Sequence, residues 1–205
     1  MKTKLVTFII IFTAMLLTYG ATAYAQNTYF NSYYVSINGG LAQTTPNGTS
    51  SKTGNTVNIS VGKNFNFNNW IIGGEATLGY TNNGNWTYNN IDGYNDNATL
   101  SIHSWYYTAA LKAGYAINNI MPFIKLGYIH YTYNGNISYS GQYSSYYTNA
   151  PTTMSTNGSG LLYGIGLEYM INQNWGITAQ YFTTLLNASG KVYNKNYTVG
   201  LSYNF

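Results

Sequence analysis

The last ten residues of the chain alternate strictly between bulky apolar and small polar side chains. The bulky set consists of Tyr197, Val199, Leu201, Tyr203 and Phe205. The small polar set consists of Asn196, Thr198, Gly200, Ser202 and Asn204. A period of two is that of a β-strand whose two faces meet different surroundings. Because the bulky face is wholly apolar or aromatic and the chain ends on it, the pattern predicts a strand between lipid and the polar interior of a barrel.

Charge is scarce along the whole chain: charged residues make up 6% of it and aromatic residues 18%. Soluble domains average about 25% charged residues, and disordered segments are poor in aromatics. A nucleic-acid partner needs clustered lysine and arginine, whereas the lysines here are scattered and arginine does not occur. The composition therefore favours a membrane barrel and excludes a nucleic-acid partner.

The amino-terminal residues have the three parts of a secretory signal peptide. Lys2 and Lys4 form a charged start, residues 5–17 an apolar middle, and residues 23–25 an Ala-Tyr-Ala cleavage site. The apolar stretch is shorter than the roughly 20 residues that a membrane-spanning helix needs, which disfavours the alternative of an anchoring helix. We therefore expect a signal peptide over residues 1–25 and one barrel domain over residues 26–205.

Alternation of the same kind recurs in seven further segments, separated by stretches rich in Asn, Gly, Ser and Thr. The eight predicted strands cover residues 33–42, 55–65, 70–80, 105–117, 123–133, 160–171, 175–185 and 196–205. The connections alternate between short, Asn-rich turns and longer polar stretches. Short turns on one side and long loops on the other are typical of an outer-membrane barrel, in which both termini lie on the short-turn side. The sequence predicts an all-β fold, a transmembrane up-and-down eight-stranded antiparallel barrel.

A soluble eight-stranded barrel of the lipocalin type also alternates, and it is the main competing fold. Such a barrel buries its large residues and presents charge outside, so its outward faces would carry Lys and Glu. Here charge is nearly absent, and the small polar set is the sparse one, which fits a narrow lumen better. Aromatic residues also stand beside every short turn, as at a membrane interface. These side chains are Phe65, Trp70, Tyr115, Tyr169 and Trp175.

Three segments and the terminus carry a resemblance to a known family: residues 36–42, 122–128 and 164–169, with Phe205 at the end. On these residues the chain resembles the eight-stranded bacterial outer-membrane barrels that include the OmpA transmembrane domain, OmpX and the Opa-like surface proteins. The resemblance implies a Gram-negative outer-membrane location and contact with outer-membrane lipid and lipopolysaccharide. It also implies insertion by the barrel assembly machinery, with Tyr203 and Phe205 as the assembly signal. We expect a monomer.

Four charged residues fall on the predicted lumen face of strands three to six: Glu75, Lys112, Lys125 and Glu168. They could form a charged pore, but eight strands enclose a space that side chains roughly fill. We therefore interpret them as a lumen charge network of paired groups. Glu75 and Lys112 each lie five residues from the nearest turn, which predicts an ion pair between them, with Lys125 and Glu168 next in the same network.

Catalytic and metal-binding groups are few. His130 begins a His-Tyr-Thr triplet that loosely resembles the His-x-Ser of outer-membrane lipid A deacylases, but Thr replaces Ser and no carboxylate follows on the next strand at that level. The other histidine, His103, lies on a different strand, and there is no cysteine to complete a metal site. We expect no enzymatic activity, no metal and no cofactor.

The polar length of the chain is concentrated in three predicted extracellular loops, residues 43–54, 81–104 and 134–156. Loops on a rigid scaffold often carry binding, and Tyr with Ser, Gly and Asn gives large contact area at low entropy cost. The candidate loop contacts are Tyr88, Tyr94, Tyr139, Tyr143, Tyr146 and Tyr147. The resulting hypothesis is adhesion or binding of a host or extracellular ligand. The alternatives are a structural envelope protein without a specific ligand and a small, low-conductance channel.

Overall fold

Eight antiparallel strands close into a barrel in the computed structural model, which describes residues 29–46, 51–90, 96–141, 152–187 and 191–205. The strands are β1 (Tyr33–Pro46), β2 (Lys52–Phe67), β3 (Trp70–Tyr88), β4 (Asn97–Tyr115), β5 (Ile120–Ser140), β6 (Thr153–Met170), β7 (Trp175–Asn187) and β8 (Lys191–Asn204). Each strand pairs with its neighbours in sequence, and β8 pairs back onto β1. The predicted up-and-down barrel is confirmed, whereas the predicted signal peptide lies outside the described residues.

The alternation determines which side chains point outward from the barrel wall and which point into its lumen. In β8, Val199 and Leu201 are exposed on the outer face, while Thr198 and Ser202 are buried inside. The same division holds around the wall, so the exposed large side chains are mainly Ile, Leu, Val and aromatics. An outer surface of this kind has no favourable contact with water and requires lipid around it. Among the described residues no helix is long and apolar enough to span a membrane.

Two belts of aromatic side chains bound the apolar outer surface, as expected at the two faces of a bilayer. The belt beside the short turns includes Trp70 against Tyr115 and Trp175 against Tyr203, with ring centroids 5.1 and 5.0 Å apart. The outer girdle, at the other end, is formed by Tyr80, Trp105, Tyr107, Tyr163, Tyr181 and Tyr197. Ten residues separate Trp70 from Tyr80 on β3, which is roughly 34 Å along a strand and about 25 Å in height once the strand is tilted.

Asparagine builds the three short turns because it tolerates the left-handed backbone conformation and bonds its own backbone. Asn68 and Asn69 both have positive φ, of 51° and 74°, which makes the β2–β3 connection a two-residue turn of the primed kind that matches strand twist. In the β6–β7 turn, the Asn172 side-chain oxygen accepts bonds from the backbone N–H groups of Asn174 and Trp175, both at 2.9 Å. These tight turns hold the strand register at the end of the barrel where β1 begins and β8 ends.

The strands extend farther on the outer side than the sequence predicted. Residues 81–104 and 134–156 were expected to be loops, yet β3 continues to Tyr88, β4 begins at Asn97, β5 reaches Ser140 and β6 begins at Thr153. The loop prediction is therefore wrong for residues 81–88, 97–104, 134–140 and 153–156. The small polar residues belong to strand segments that lie beyond the membrane. The outward residues of these segments face water, so they are polar and the apolar alternation that identified the other strands is absent.

Candidate functional site

The four predicted lumen charges all lie inside the barrel. Glu75, Lys112, Lys125 and Glu168 are each at most 6% exposed. Lys125 Nζ lies 2.5 Å from Glu75 Oε1, and Lys112 Nζ lies 3.3 Å from Glu168 Oε2. The predicted ion pair between Glu75 and Lys112 is therefore wrong, because each carboxylate instead meets a lysine two strands away.

The strand register explains the difference. Glu75 stands opposite Ala110 on β4, and Lys112 stands opposite Gly73 on β3, so the two charges on neighbouring strands are offset by two residues. A lysine side chain is long enough to cross the narrow lumen instead of reaching sideways. Counting residues from the nearest turn gave equal depth but ignored this offset.

Further polar groups surround both carboxylates. The Tyr34 hydroxyl donates to Glu75 Oε2 at 2.7 Å, and the Thr77 hydroxyl donates to Glu75 Oε1 at 3.1 Å. Lys125 also donates to Gln180 Oε1 at 2.8 Å, and Ser202 donates to Glu168 at 3.3 Å. Buried charges persist when they are paired and hydrogen-bonded. These contacts form a charged layer across the middle of the lumen.

An apolar and aromatic cluster fills the lumen on the outer side of the charged layer. It contains Tyr106, Ala110, Ile129, Tyr131, Tyr133, Leu162, Phe182 and Leu186. The phenol groups keep polar partners: Asn58 donates to the Tyr106 hydroxyl at 3.1 Å, and Asn196 donates to the Tyr131 hydroxyl at 3.3 Å. Gly79 makes room for the ring of Tyr106, which a Cβ at that position would overlap.

The lumen was predicted to hold small polar residues, so this cluster was not expected. Residues 105–107 are all aromatic, but Lys112, which was assigned to the lumen, lies six positions after Tyr106, so the alternation does turn the Tyr106 ring inward. The structure agrees with this direction, because Gly79 stands opposite Tyr106 on the neighbouring strand and leaves room for its ring.

A second apolar cluster closes the opposite end of the lumen. Phe30, which precedes β1, is completely buried there against Ile71, Met121 and Met170. The Ser32 carbonyl accepts a bond from the Asn64 backbone N–H at 3.0 Å, which fastens this short segment beneath the barrel. The described lumen thus contains, in order, an apolar plug, a charged layer and an aromatic cluster.

Beyond the outer girdle, four strands continue as what we call the outer sheet: residues 82–88 of β3, 97–103 of β4, 134–140 of β5 and 153–158 of β6. Pairing with β2 ends at Asn82, and pairing with β7 ends at Ser159. A seven-residue strand segment is about 23 Å long. The side of the barrel wall formed by β3 to β6 therefore extends farther beyond the girdle than the opposite side.

Polarity is reversed in the outer sheet relative to the membrane part. Its outer face is polar and includes Asn82, Asn85, Thr87, Asn97, Thr99, Ser101, His103, Asn134, Asn136, Ser138, Ser140, Thr153, Ser155 and Asn157. Its inner face, above the barrel mouth, is largely apolar and includes Trp86, Leu100, Ile102, Ile137 and Met154. The reversal indicates that this sheet lies in water and turns its apolar side toward the mouth.

Two of the candidate loop tyrosines lie in the outer sheet itself. Tyr88 pairs with Ala98, and Ala98 pairs with Tyr139, so the two tyrosines flank one alanine on the inner face. Their assignment to loops is wrong, but the structure brings them into one row. The other candidates, Tyr94, Tyr143, Tyr146 and Tyr147, lie outside the described residues.

His130 belongs to the outer girdle. Its ring stacks on Tyr107 with centroids 5.0 Å apart, and its Nδ1 lies 2.7 Å from the Ser159 hydroxyl on β6. Ser159 was not among the predicted site residues. Glu75 and Glu168 lie on the inner side of the wall, so neither carboxylate can orient this pair. Within the described ranges, no three His, Asp or Glu side chains are grouped to hold a metal ion.

Solved structures with this architecture are outer-membrane barrels. Ail, the attachment invasion locus protein of Yersinia pestis, is 19% identical with a TM-score of 0.57, over 85% of this chain and 99% of that one. Neisserial surface protein A, NspA, is 14% identical with a TM-score of 0.59, over 84% and 97%. OprG of Pseudomonas aeruginosa is 13% identical with a TM-score of 0.53, over 88% and 99%. At these identities the likeness shows the fold alone.

No curated protein is similar enough in sequence to count as a match. The family described as "Outer membrane protein beta-barrel domain" matches residues 11–205, nearly the whole chain. The closed eight-stranded wall, its apolar outer band and its two aromatic belts are features of an outer-membrane-type barrel. The chain belongs to the outer membrane protein β-barrel domain family and resides in the bacterial outer membrane.

Proposed function

We propose that this barrel is a surface attachment protein that binds a host or extracellular partner through its outer sheet and the connections that the sheet carries. The observation that carries the proposal is the outer sheet itself, a set of paired strands beyond the outer girdle on one side of the wall. A barrel that served only to span the bilayer would have no need of strands that extend about 23 Å past the girdle.

The filled lumen supports attachment over transport. Tyr106, Tyr131 and Phe182 occupy the outer half, the two ion pairs occupy the middle, and Phe30 occupies the opposite end. A channel needs a continuous polar path, and two apolar clusters interrupt such a path here. The small-channel alternative is therefore disfavoured, and the structural envelope role is the remaining competitor.

The chemistry of the outer sheet indicates what kind of surface it fits. Its described residues include no lysine and no carboxylate, while Tyr88 and Met154 are about half exposed on the inner face. Binding there would use aromatic area and uncharged hydrogen-bonding groups, as antibody loops do. Ail has been solved in complex with the heparin analogue sucrose octasulfate. An outer sheet without cations is poorly suited to such a polyanion, so we propose an uncharged polar partner surface.

The register allows the outer sheet to be shortened without disturbing the barrel. Asn136 and Thr153 face each other across β5 and β6. Replacing the residues between them with Asn-Gly, the pair that favours a two-residue hairpin turn, removes the top of the sheet. The matched control replaces the residues between Thr44 and Lys52, which also face each other, on the low side of the wall.

The measurement is attachment of whole bacteria to host cells or immobilised matrix. Bacteria with the shortened β5–β6 hairpin are expected to lose attachment, while bacteria with the shortened β1–β2 hairpin keep it. Heat-dependent migration on a detergent gel confirms that both barrels assemble. If the shortened β5–β6 hairpin leaves attachment unchanged, the attachment proposal fails and the structural envelope role takes its place.

A further inference from the structure

The inner face of the outer sheet is built in tiers that the strand register defines. The top tier consists of Tyr88 on β3, Ala98 on β4 and Tyr139 on β5. Neighbouring strands lie about 4.8 Å apart, so the two tyrosines stand roughly 10 Å from each other, with the small Ala98 side chain between them. Tyr88 is about half exposed and Tyr139 is partly exposed. The top tier is therefore a shallow trough with an aromatic ring on each side.

The lower tiers are already filled and limit the depth of this trough. Trp86, in the tier directly below, is buried. In the next tier, Met154 and Leu100 lie over Gly135, where a Cβ would come within 2.8 Å of Met154 Cγ and 3.2 Å of Leu100 Cδ1. Among the described residues, the trough therefore offers ring faces at its top tier and no deep apolar pocket beneath them.

The trough offers no charge to a ligand. The described residues of the outer sheet include no lysine and no carboxylate, and Asp96, directly before this part of β4, is buried. Thr152 adds an exposed hydroxyl at the rim, since it lies opposite Ile137, whose backbone N–H donates to the Thr152 carbonyl at 2.8 Å. The polar groups at the trough are thus hydroxyls, which suit a neutral ligand that both donates and accepts hydrogen bonds.

A neutral sugar chain has the surfaces that this trough fits. One face of a sugar ring is formed by C–H groups, which pack on the negative face of an aromatic ring, and its edge carries hydroxyls. The spacing of Tyr88 and Tyr139 is close to the distance between the first and third rings of a linear trisaccharide. An apolar peptide would instead need pockets for alternate side chains, and the filled lower tiers do not provide them.

We propose that the trough formed by Tyr88, Ala98 and Tyr139 binds a neutral, linear glycan of the partner surface. Two sugar rings stack on the tyrosines, and the ring between them lies over Ala98. A side chain larger than that of alanine at position 98 would occupy the place of the middle ring. This inference rests on the attachment proposal, because it names the chemical class that the outer sheet binds.

The experiment titrates the full barrel in nanodiscs with three neutral trisaccharides, chitotriose, cellotriose and maltotriose, and follows binding by saturation-transfer NMR. At least one trisaccharide is expected to bind with a Kd below about 1 mM. The corresponding monosaccharide reaches only one ring and should bind about tenfold more weakly. The affinity should not change as salt is raised, because no ion pair is formed.

Three variants test the named residues. Y88A and Y139A each remove one stacking ring and should weaken trisaccharide binding about threefold to tenfold. A98L fills the centre of the trough and should weaken it at least as much. Heat-dependent gel migration verifies assembly. Y88A, which alters a half-exposed side chain beyond the membrane, decides the matter if A98L does not assemble.

Matched controls lie on the same strands and on the low side of the wall. T87A and S138A alter the neighbours of the two tyrosines on the outer face of the outer sheet. Y193A removes another exposed tyrosine ring, on β8. All three control variants should bind the trisaccharide as the wild-type protein does.

The outcomes separate this inference from the attachment proposal. It is overturned if none of the trisaccharides binds below about 1 mM, if Y88A and Y139A bind as tightly as the wild-type protein, or if the affinity falls as salt is raised. In that case the shortened β5–β6 hairpin still decides attachment. If bacteria attach equally well to host cells whose glycans have been oxidised with periodate, and Y88A lowers that attachment, the occupant of the trough is a polypeptide. If the trisaccharide binds through Tyr88 while the shortened hairpin leaves attachment unchanged, the glycan site stands and the attachment function fails.

Discussion

Lys125 reaches past β4 to Glu75 on β3, and its Nζ lies 2.5 Å from Glu75 Oε1. The second pair repeats the relationship, since Lys112 on β4 reaches past β5 to Glu168 on β6. Each pair therefore ties together two strands that are not neighbours. Hydrogen bonds of the sheet cannot do this, so the pairs brace the barrel across its interior.

The first prediction concerns the identity of the partners. Glu75→Gln leaves Lys125 buried without a counter-charge, which is expected to cost about 3–5 kcal/mol of unfolding free energy. Adding Lys125→Met removes the orphaned charge and should recover part of that loss. Adding Lys112→Met instead orphans Glu168 as well and should increase the loss. Urea unfolding in phospholipid vesicles measures the stability of the single variant and of both double variants. If Glu75→Gln with Lys112→Met were more stable than Glu75→Gln alone, the observed pairing would be contradicted.

The second prediction concerns the space that Gly79 leaves for Tyr106. Gly79→Ala places a methyl group inside the Tyr106 ring and should destabilise the barrel by about 1–3 kcal/mol, the usual cost of overpacking. Gly39→Ala is the matched control, because its Cβ enters open space on the outer face, and it should change stability by no more than about 0.5 kcal/mol. Both losses of unfolding free energy are measured by the same urea assay. If Gly79→Ala and Gly39→Ala cost the same, the Tyr106 ring does not depend on the space at position 79.

The eight strands and their faces were predictable because, in the membrane part of each strand, bulky apolar residues for lipid alternate with small polar residues for the lumen, as with Leu201 beside Ser202. The partners of Glu75 and Lys112 were not, because pairing depends on register and on the reach of a side chain across the lumen. Inward rings such as Tyr106 were missed because the lumen face was expected to carry small polar side chains and a few charges, although Tyr106 shares that face with Lys112. The outer sheet was missed because its polarity is reversed. The strands were recognised by apolar residues on the outward face, and in the outer sheet those outward residues are polar, so its strands were predicted to be loops.

The third prediction is that the barrel does not conduct. Planar-bilayer recordings of the wild-type protein should show no stable, large conductance, because both apolar clusters interrupt the water path. Phe30→Ala removes only the plug at the turn side and should also remain closed, since the cluster around Tyr106 is intact. Removing Phe30, Tyr106 and Phe182 together should give openings. Stable openings in the wild-type protein would contradict the filled lumen.

The fourth prediction addresses His130 and Ser159. A serine hydroxyl near an imidazole resembles a nucleophile with its base, but the pair lies on the outer side of the wall and both lumen carboxylates lie on the inner side. Expression of the barrel should leave the mass of lipid A unchanged, and His130→Ala should have no effect on it. Loss of an acyl chain that depends on both His130 and Ser159 would instead establish an acyl hydrolase.

The last prediction separates the assembly role of Phe205 from any structural one. The Phe205 ring is 74% exposed and contacts Tyr203 edge-on at 5.1 Å, while the Phe205 backbone N–H donates to the Tyr33 carbonyl at 2.9 Å. Replacing the ring keeps the backbone bond and removes little buried area. Phe205→Ala should therefore refold in vitro with nearly wild-type stability, within about 1 kcal/mol, but should reach the outer membrane of cells at a much lower level.

Tyr115→Ala provides the control, because Tyr115 is another exposed ring in the same belt, packed against Trp70 at 5.1 Å. It should affect refolding and cellular assembly to the same small extent. If Phe205→Ala accumulates in the outer membrane as well as Tyr115→Ala does, the terminal ring is one more interfacial aromatic and carries no assembly signal. If Phe205→Ala is defective in refolding as well as in cells, its role is structural, and the exposed position of the ring would need another explanation.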